Sequence, residues 1–112
     1  MKDRIRDRLR EAAAHHRETL AEARSIMTEL ILTELKIGLQ FAQLARDSFV
    51  AKSNPVAARR QQDGAVKAYQ AVEKFLPQSA PTSEQRAMIE KQLADLKTAI
   101  SELRDLSKEP FD

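Results

Sequence analysis

The sequence has no cysteine, no tryptophan, only two glycines, and five aromatic residues (four Phe, one Tyr) among 112. Without cysteine there is neither a disulfide framework nor a thiolate metal site. The two glycines, Gly38 and Gly64, stand 26 residues apart, which excludes a glycine-rich phosphate loop. The scarcity of aromatic residues and glycine turns argues against a β-sandwich or barrel. Long apolar runs are also missing. The most apolar stretch, Ile26 to Phe41, is interrupted by Glu29, Glu34 and Lys36, and no run approaches the roughly 18 apolar residues of a transmembrane helix. The N-terminus is charged from its second residue and has no apolar h-region, so no secretory signal is expected. A cytoplasmic location is the expectation that agrees with these absences.

What is present is mostly Ala, Glu, Lys, Leu, Arg and Gln, the strong helix formers. One soluble all-α domain is expected at this length. Charged residues make up 32% of the chain, yet the net charge is only +2. Residues 1–10 carry five basic and two acidic side chains, whereas residues 83–112 carry five basic and seven acidic ones. A basic N-terminal arm and a mildly acidic C-terminal segment are therefore expected, the arm either as solvated helix surface or as a contact for phosphates or anionic lipid.

Two breaks divide the chain into three helical segments. At Ser53-Asn54-Pro55, Asn54 is a favoured N-cap and Pro55 suits the first helical position, where its missing N–H would be unpaired anyway. In the second break, 77–83, Thr82 followed by Gln85 matches a capping box, with Ser83 as the competing cap. The predicted helices are 3–52, 55–76 and 83–107. Pro110 ends any continuation, leaving a tail over 108–112 in which Phe111 is the one apolar anchor.

The third helix has the clearest period. Ile89, Leu93, Leu96, Ile100, Leu103 and Leu106 alternate spacings of four and three and end on a second three, the seam of a helix packed at a shallow angle on another. The second carries Ala58, Ala65, Tyr69, Val72 and Leu76 on one stripe, widened by Ala68 and Phe75. The first has two neighbouring stripes from residue 30 onward: Leu30, Ile37, Phe41 and Leu44, and beside them Ile31, Leu35, Gly38, Ala42, Ala45 and Phe49. Such a wide apolar arc suits a helix that touches two partners. The predicted core is Leu30, Ile31, Leu35, Ile37, Phe41, Leu44, Phe49, Ala65, Tyr69, Val72, Leu76, Ile89, Leu93, Leu96, Ile100 and Leu103.

Length adds a constraint. At a rise of ~1.5 Å per residue the second and third helices span about 33 and 37 Å, and an unbroken first helix would span about 75 Å. Only its C-terminal half fits against the others. Residues 1–28 overhang a three-helix bundle formed by 29–107. Within the overhang Ile5, Leu9, Ala12, His16, Ala23, Ile26 and Leu30 keep a heptad-like spacing, with Leu20 and Met27 alongside. A second copy, a foreign helix, or a fold-back of the first helix would hide this stripe; a frayed, solvated helix would leave it wet. No Pro or Gly lies between Met1 and Ile37 to make a sharp turn, which favours self-association. The interaction candidates are Ile5, Leu9, Leu20, Ile26, Met27 and Leu30.

The middle of the chain resembles a single stretched tetratricopeptide-like hairpin. Gly38-x-x-Phe41 matches the small residue and aromatic of that repeat's first helix, and Ala65-x-x-x-Tyr69-x-x-Val72-x-x-x-x-Pro77 is close to its second-helix pattern. The likeness covers about 40 residues and departs in one respect: the repeat has about 12 residues between its Gly and its second-helix Ala, whereas Gly38 and Ala65 are 27 apart. So long an arrangement looks more like the microtubule-interacting-and-trafficking type of domain, a three-helix bundle that binds short helical tails. There is also a general similarity to small bacterial helical proteins, which implies no function. What the first two resemblances imply is helix-in-groove binding; the groove is expected beside the first helix, where the apolar arc is widest. Independently of them, Gly38, Ala42 and Ala45 form a small-residue strip facing Ala58, Ala65 and Ala68, which allows close helix approach, with Phe41, Tyr69 and Phe75 filling the wider ends.

Chemistry has little to stand on. His15 and His16 are the only histidines, and neighbours on a helix point about 100° apart. Glu11, His15, Glu18 and Glu22 share a face, but a carboxylate-bridged metal bundle needs Glu-x-x-His on facing helices; here the order is His15-x-x-Glu18. Ser25, Ser48, Ser53 and Ser101 have no histidine base on the same bundle segment. Acidic pairs such as Glu90 with Asp95 and Glu102 with Asp105 lie amid Lys and Arg and read as salt-bridged surface. No catalytic, cofactor or metal residue is assigned, and a non-enzymatic interaction module is expected. The alternative function is binding of nucleic acid or an anionic surface by Arg6, Arg10, Arg17 and Arg24, which share one side of the arm, with Arg59, Arg60, Lys67 and Lys74 adding charge on the second helix. Against it, Asp3, Asp7, Glu11, Glu18 and Glu22 are interleaved and no aromatic stacks among them.

Overall fold

A computed structural model of the chain describes residues 2–111, and the side chains of 4–111. Met1 and Asp112, the ends of the predicted overhang and tail, and the Asp3 side chain lie outside the described residues. The fold is all-α, with three helices: α1 (Lys2–Val50), α2 (Pro55–Phe75) and α3 (Ser83–Ser107), with a short 3-10 turn, Leu76–Gln78, after α2.

The helix boundaries follow from capping chemistry. The Asn54 side chain accepts a hydrogen bond from the Ala57 amide at 3.1 Å, and Pro55 occupies the first turn. Thr82, not Ser83, caps α3: its Oγ1 accepts from the Gln85 amide at 3.1 Å, while the Thr82 amide donates to Gln85 Oε1 at 2.9 Å. The end of α1 is a Schellman-type stop. The Ser53 amide donates to the Ser48 carbonyl and the Lys52 amide to the Phe49 carbonyl, with Lys52 in the left-handed region at φ 49°. A glycine is usual there; a lysine carries the steric cost of its Cβ.

α1 is unbroken over 49 residues, about 73 Å at ~1.5 Å per residue. The molecule measures 81 × 25 × 15 Å with a radius of gyration of 20.8 Å, against about 13 Å for a compact domain of this size. α2 and α3 both pack on the C-terminal half of α1 and touch each other less.

The core is aliphatic and small. Ile31, Leu35, Ala42, Ala45 and Phe49 of α1 meet Ala58, Ala65, Ala68 and Val72 of α2 and Ile89, Leu96, Ile100 and Leu103 of α3. Gly38 sits where all three helices approach. A Cβ there would stand 2.8 Å from the Ala68 Cβ and 2.9 Å from a Leu96 methyl. Gly64 does the same for the Phe41 ring, which would lie 2.9 Å from an added Cβ. Of the two α1 stripes only the one through Ile31 and Leu35 faces inward. Leu30, Ile37 and Leu44, expected in the core, are exposed, and Phe41, Tyr69, Leu76 and Leu93 are half-buried at its edges. The correction has a steric reason: close packing at Gly38, Ala42 and Ala45 turns the small-residue face inward, and the bulkier neighbouring stripe rotates out with it.

Both ends of the bundle are closed. At the outer end Phe111 folds back onto Phe49, ring centroids 5.8 Å apart and tilted by 51°. At the end where the overhang begins, buried Thr28 donates from Oγ1 to the Arg24 carbonyl at 3.0 Å and accepts from the Ala80 amide at 3.2 Å. That bond ties the α2–α3 connection to α1.

Candidate interaction surface

The inner face of α1 changes character at Thr28. From Ile31 to Phe49 its positions are Ile, Leu, Gly, Ala, Ala and Phe; stepping back by three and four from Thr28 they are Arg24, Ala21, Arg17, Ala14 and Arg10. Arginines in line with the core face give α2 and α3 nothing apolar to bury, so the bundle stops there. Every described side chain from Arg4 to Ile26 is exposed. This arm is held as a helix by Ala, Leu, Arg and Glu, not by packing.

The apolar stripe lies beside the core face, about 100° round α1 from it. Ile5, Leu9 and Ile26 are 62, 65 and 69% exposed, and Leu20 and Leu30 are exposed at its margin and its inner end. Met27 differs from the other candidates in being half-buried at the start of the bundle. The structure brings Ile5, Leu9, Ile26 and Leu30 onto one continuous face with Ala12, His16, Thr19 and Ala23 between them; the bundle narrows the exposure of Leu30 to 38%, and among the described residues no other helix packs on the rest. Sequence reasoning left out Ile37 and Leu44, which extend the same seven-residue spacing along the back of the bundle and are also exposed. The signal for them was present, because their distances from Leu30 are one and two heptads; their assignment to the core concealed it.

The basic candidates Arg6, Arg10, Arg17 and Arg24 are all exposed. Arg6, Arg10, Arg17 and Arg24 all lie in line with the core face. Arg17 donates from Nε to the Ala13 carbonyl at 3.4 Å. The recorded ion pair, Arg46 with Glu102 at 3.8 Å, joins α1 to α3 between two well-exposed side chains and adds little to stability.

Concave features are shallow. A groove of about 570 Å³ runs beside α1, floored by Leu32 and Leu39 and walled by Lys36, Gln40, Gln43, Met88 and Gln92. A cleft of about 340 Å³ separates α2 from α3, with half-buried Tyr69 at its floor and exposed Glu73, Lys97 and Arg104 at its rim. Ser101 also lines the second cleft, and among the described residues its hydroxyl makes no hydrogen bond to Glu73 or Lys97. Among the described residues no three His, Asp or Glu side chains stand close enough to hold a metal ion, and no helix is long and apolar enough to cross a membrane. Comparison with protein-family models, with curated proteins and with solved structures finds no match to this chain.

Proposed function

We propose that the protein is a non-enzymatic helical interaction module that associates with a second copy of itself through the α1 arm. One observation carries this reading: an apolar stripe from Ile5 to Leu30 is exposed along a continuous helix that projects past its own bundle. An isolated amphipathic helix is marginal in water and gains most of its stability by burying its apolar face. Because α1 continues without a break from the bundle into the arm, the bundle supplies the helix nucleus and lowers the cost of ordering the arm against a partner.

Sedimentation equilibrium of the full chain tests the proposal. The expected result is a mass that rises with concentration from monomer towards a multiple of it. The double substitution Leu9→Glu with Ile26→Glu touches no core residue and is expected to hold the chain at monomer mass with its bundle intact. A wild-type chain that stays monomeric at every concentration overturns the proposal.

The exposed arginines of the arm support a second reading, binding of nucleic acid or an anionic surface. Its signature is retention on heparin with steep loss as salt rises. No retention removes it. A foreign helix seated in the groove beside α1, the mode that the tetratricopeptide-like resemblance implies, would show in pull-down with the intact protein.

A further inference from the structure

We infer that the second copy binds antiparallel, in the one register that places residue i of one arm opposite residue 35 − i of the other. This rests on self-association through the arm and adds its geometry. Label the stripe as a heptad with Leu9, His16, Ala23 and Leu30 at a, and Ile5, Ala12, Thr19 and Ile26 at d. In an antiparallel pair each a residue packs against a d residue of the partner, and the g residues of the two chains flank each other.

In this register like meets like at every layer. Leu9 meets Ile26 and Leu30 meets Ile5, so the large apolar side chains cover one another. Ala23 meets Ala12, where the helices approach closely. His16 meets Thr19, so the polar residues of the stripe share a layer at the centre and leave no apolar partner facing them. The flanking g positions are Arg8, His15, Glu22 and Glu29. They pair as Arg8 with Glu29 and His15 with Glu22, each pair occurring twice by symmetry. All four are exposed, and among the described residues none of their side chains has an ion pair or hydrogen bond within its own chain. The second copy supplies Arg8 with its opposite charge and His15 with a hydrogen-bond acceptor.

Other arrangements lack this match. Sliding the antiparallel pair by one heptad towards the bundle sets Arg8 against Lys36, Glu22 against Glu22, and His16 against Ile26. Sliding it the other way leaves Ile26 and Leu30 uncovered. A parallel pair stacks His16 on itself and sets Glu29 beside Glu34, with no opposite-charge pair between g and e positions. The chosen register also fits the bundle. The partner's arm reaches Leu30, which is 38% exposed at the inner end of the stripe. Two molecules 81 Å long, overlapping over about 48 Å of helix, make a dimer about 115 Å long. A parallel dimer would keep the length of one molecule.

The absence of native cysteine makes the register directly readable. Full-length Leu9→Cys and Ile26→Cys proteins are mixed and treated with a short bis-maleimide. The expected product is the mixed 9–26 dimer, with neither protein linking to itself, because two copies of position 9 lie about 25 Å apart in this register. Charge exchange gives a second arm. Arg8→Glu alone and Glu29→Arg alone each place like charges together at two sites and are expected to weaken association about tenfold. Mixing the two variants restores wild-type affinity, since every 8–29 pair then joins Glu to Arg. Self-linking of Leu9→Cys, or a mixture no tighter than its components, overturns the register while leaving self-association standing. A wild-type chain that is monomeric throughout overturns both.

Discussion

The two halves of α1 are built from the same helix formers and share one unbroken backbone, yet they live in different environments. From Ile31 to Phe49 the helix buries its small-residue face against two neighbours. From Arg4 to Ile26 it buries nothing of its own. Propensity is similar in both, so it does not explain the difference. The chemistry of one face does: where that face reads Ile, Leu, Gly, Ala it is covered, and where it reads Arg, Ala, Arg it is not. The neighbouring face behaves in the reverse way. It carries apolar residues along the arm, where among the described residues no other helix packs on them.

Substituting the same residue type in the two halves is the sharpest way to break this comparison. Leu35→Ala removes a fully buried side chain and is expected to cost about 2–5 kcal/mol in denaturant unfolding. Leu9→Ala, made in a side chain 65% exposed and measured at a concentration where the chain is monomeric, is expected to change stability by no more than about 0.5 kcal/mol. Equal losses at the two positions would mean that the arm is packed in the monomer.

A smaller effect is expected at Gly38. Gly38→Leu forces α1 away from Ala68 and Leu96 and should cost about 1–3 kcal/mol by overpacking. The fixed Ala68 methyl, not the mobile Leu96 end, resists the change. Gly38→Ala should therefore cost less when combined with Ala68→Gly than the two single effects predict, in a double-mutant cycle. Additive effects would show that the close approach lies elsewhere.

The junction between the halves is next. Thr28→Val keeps the shape of a buried side chain but removes the acceptor of the Ala80 amide, a loss of about 0.5–1.5 kcal/mol. Hydrogen exchange at the Ala80 amide reads it locally, and unchanged protection there would show that the connection is held by other contacts. The smallest expected effect is a gain. Lys52→Gly relieves the left-handed backbone at the end of α1 and should raise stability by about 0.5–1 kcal/mol in thermal unfolding. A loss instead would mean that the lysine side chain contributes more than its backbone costs.

Much of this architecture was legible from local chemistry. Asn54-Pro55 and Thr82 with Gln85 mark the starts of α2 and α3 because a cap satisfies orphan amides within three residues, without reference to the rest of the fold. The stop of α1 at Lys52 carried no such mark, since a lysine in the left-handed region looks like any surface lysine. Thr28 was equally silent. Its partner, the Ala80 amide, is 52 residues away, and threonines in helices usually bond back within their own turn, as Thr19 and Thr33 do.

The sequence by itself determined the all-α class, the three helices and the caps that open the second and third, because these depend on composition and on hydrogen bonds between near neighbours. Only the tertiary structure decided which of the two α1 stripes turns inward. Both are apolar, so hydropathy does not separate them. The separation comes from how closely backbones can approach, and that depends on Gly38 meeting Ala68 and Leu96. Turning that face inward places Leu30, Ile37 and Leu44 in line with Ile5, Leu9 and Ile26 on the outside, where a second chain can reach Ile5 to Leu30.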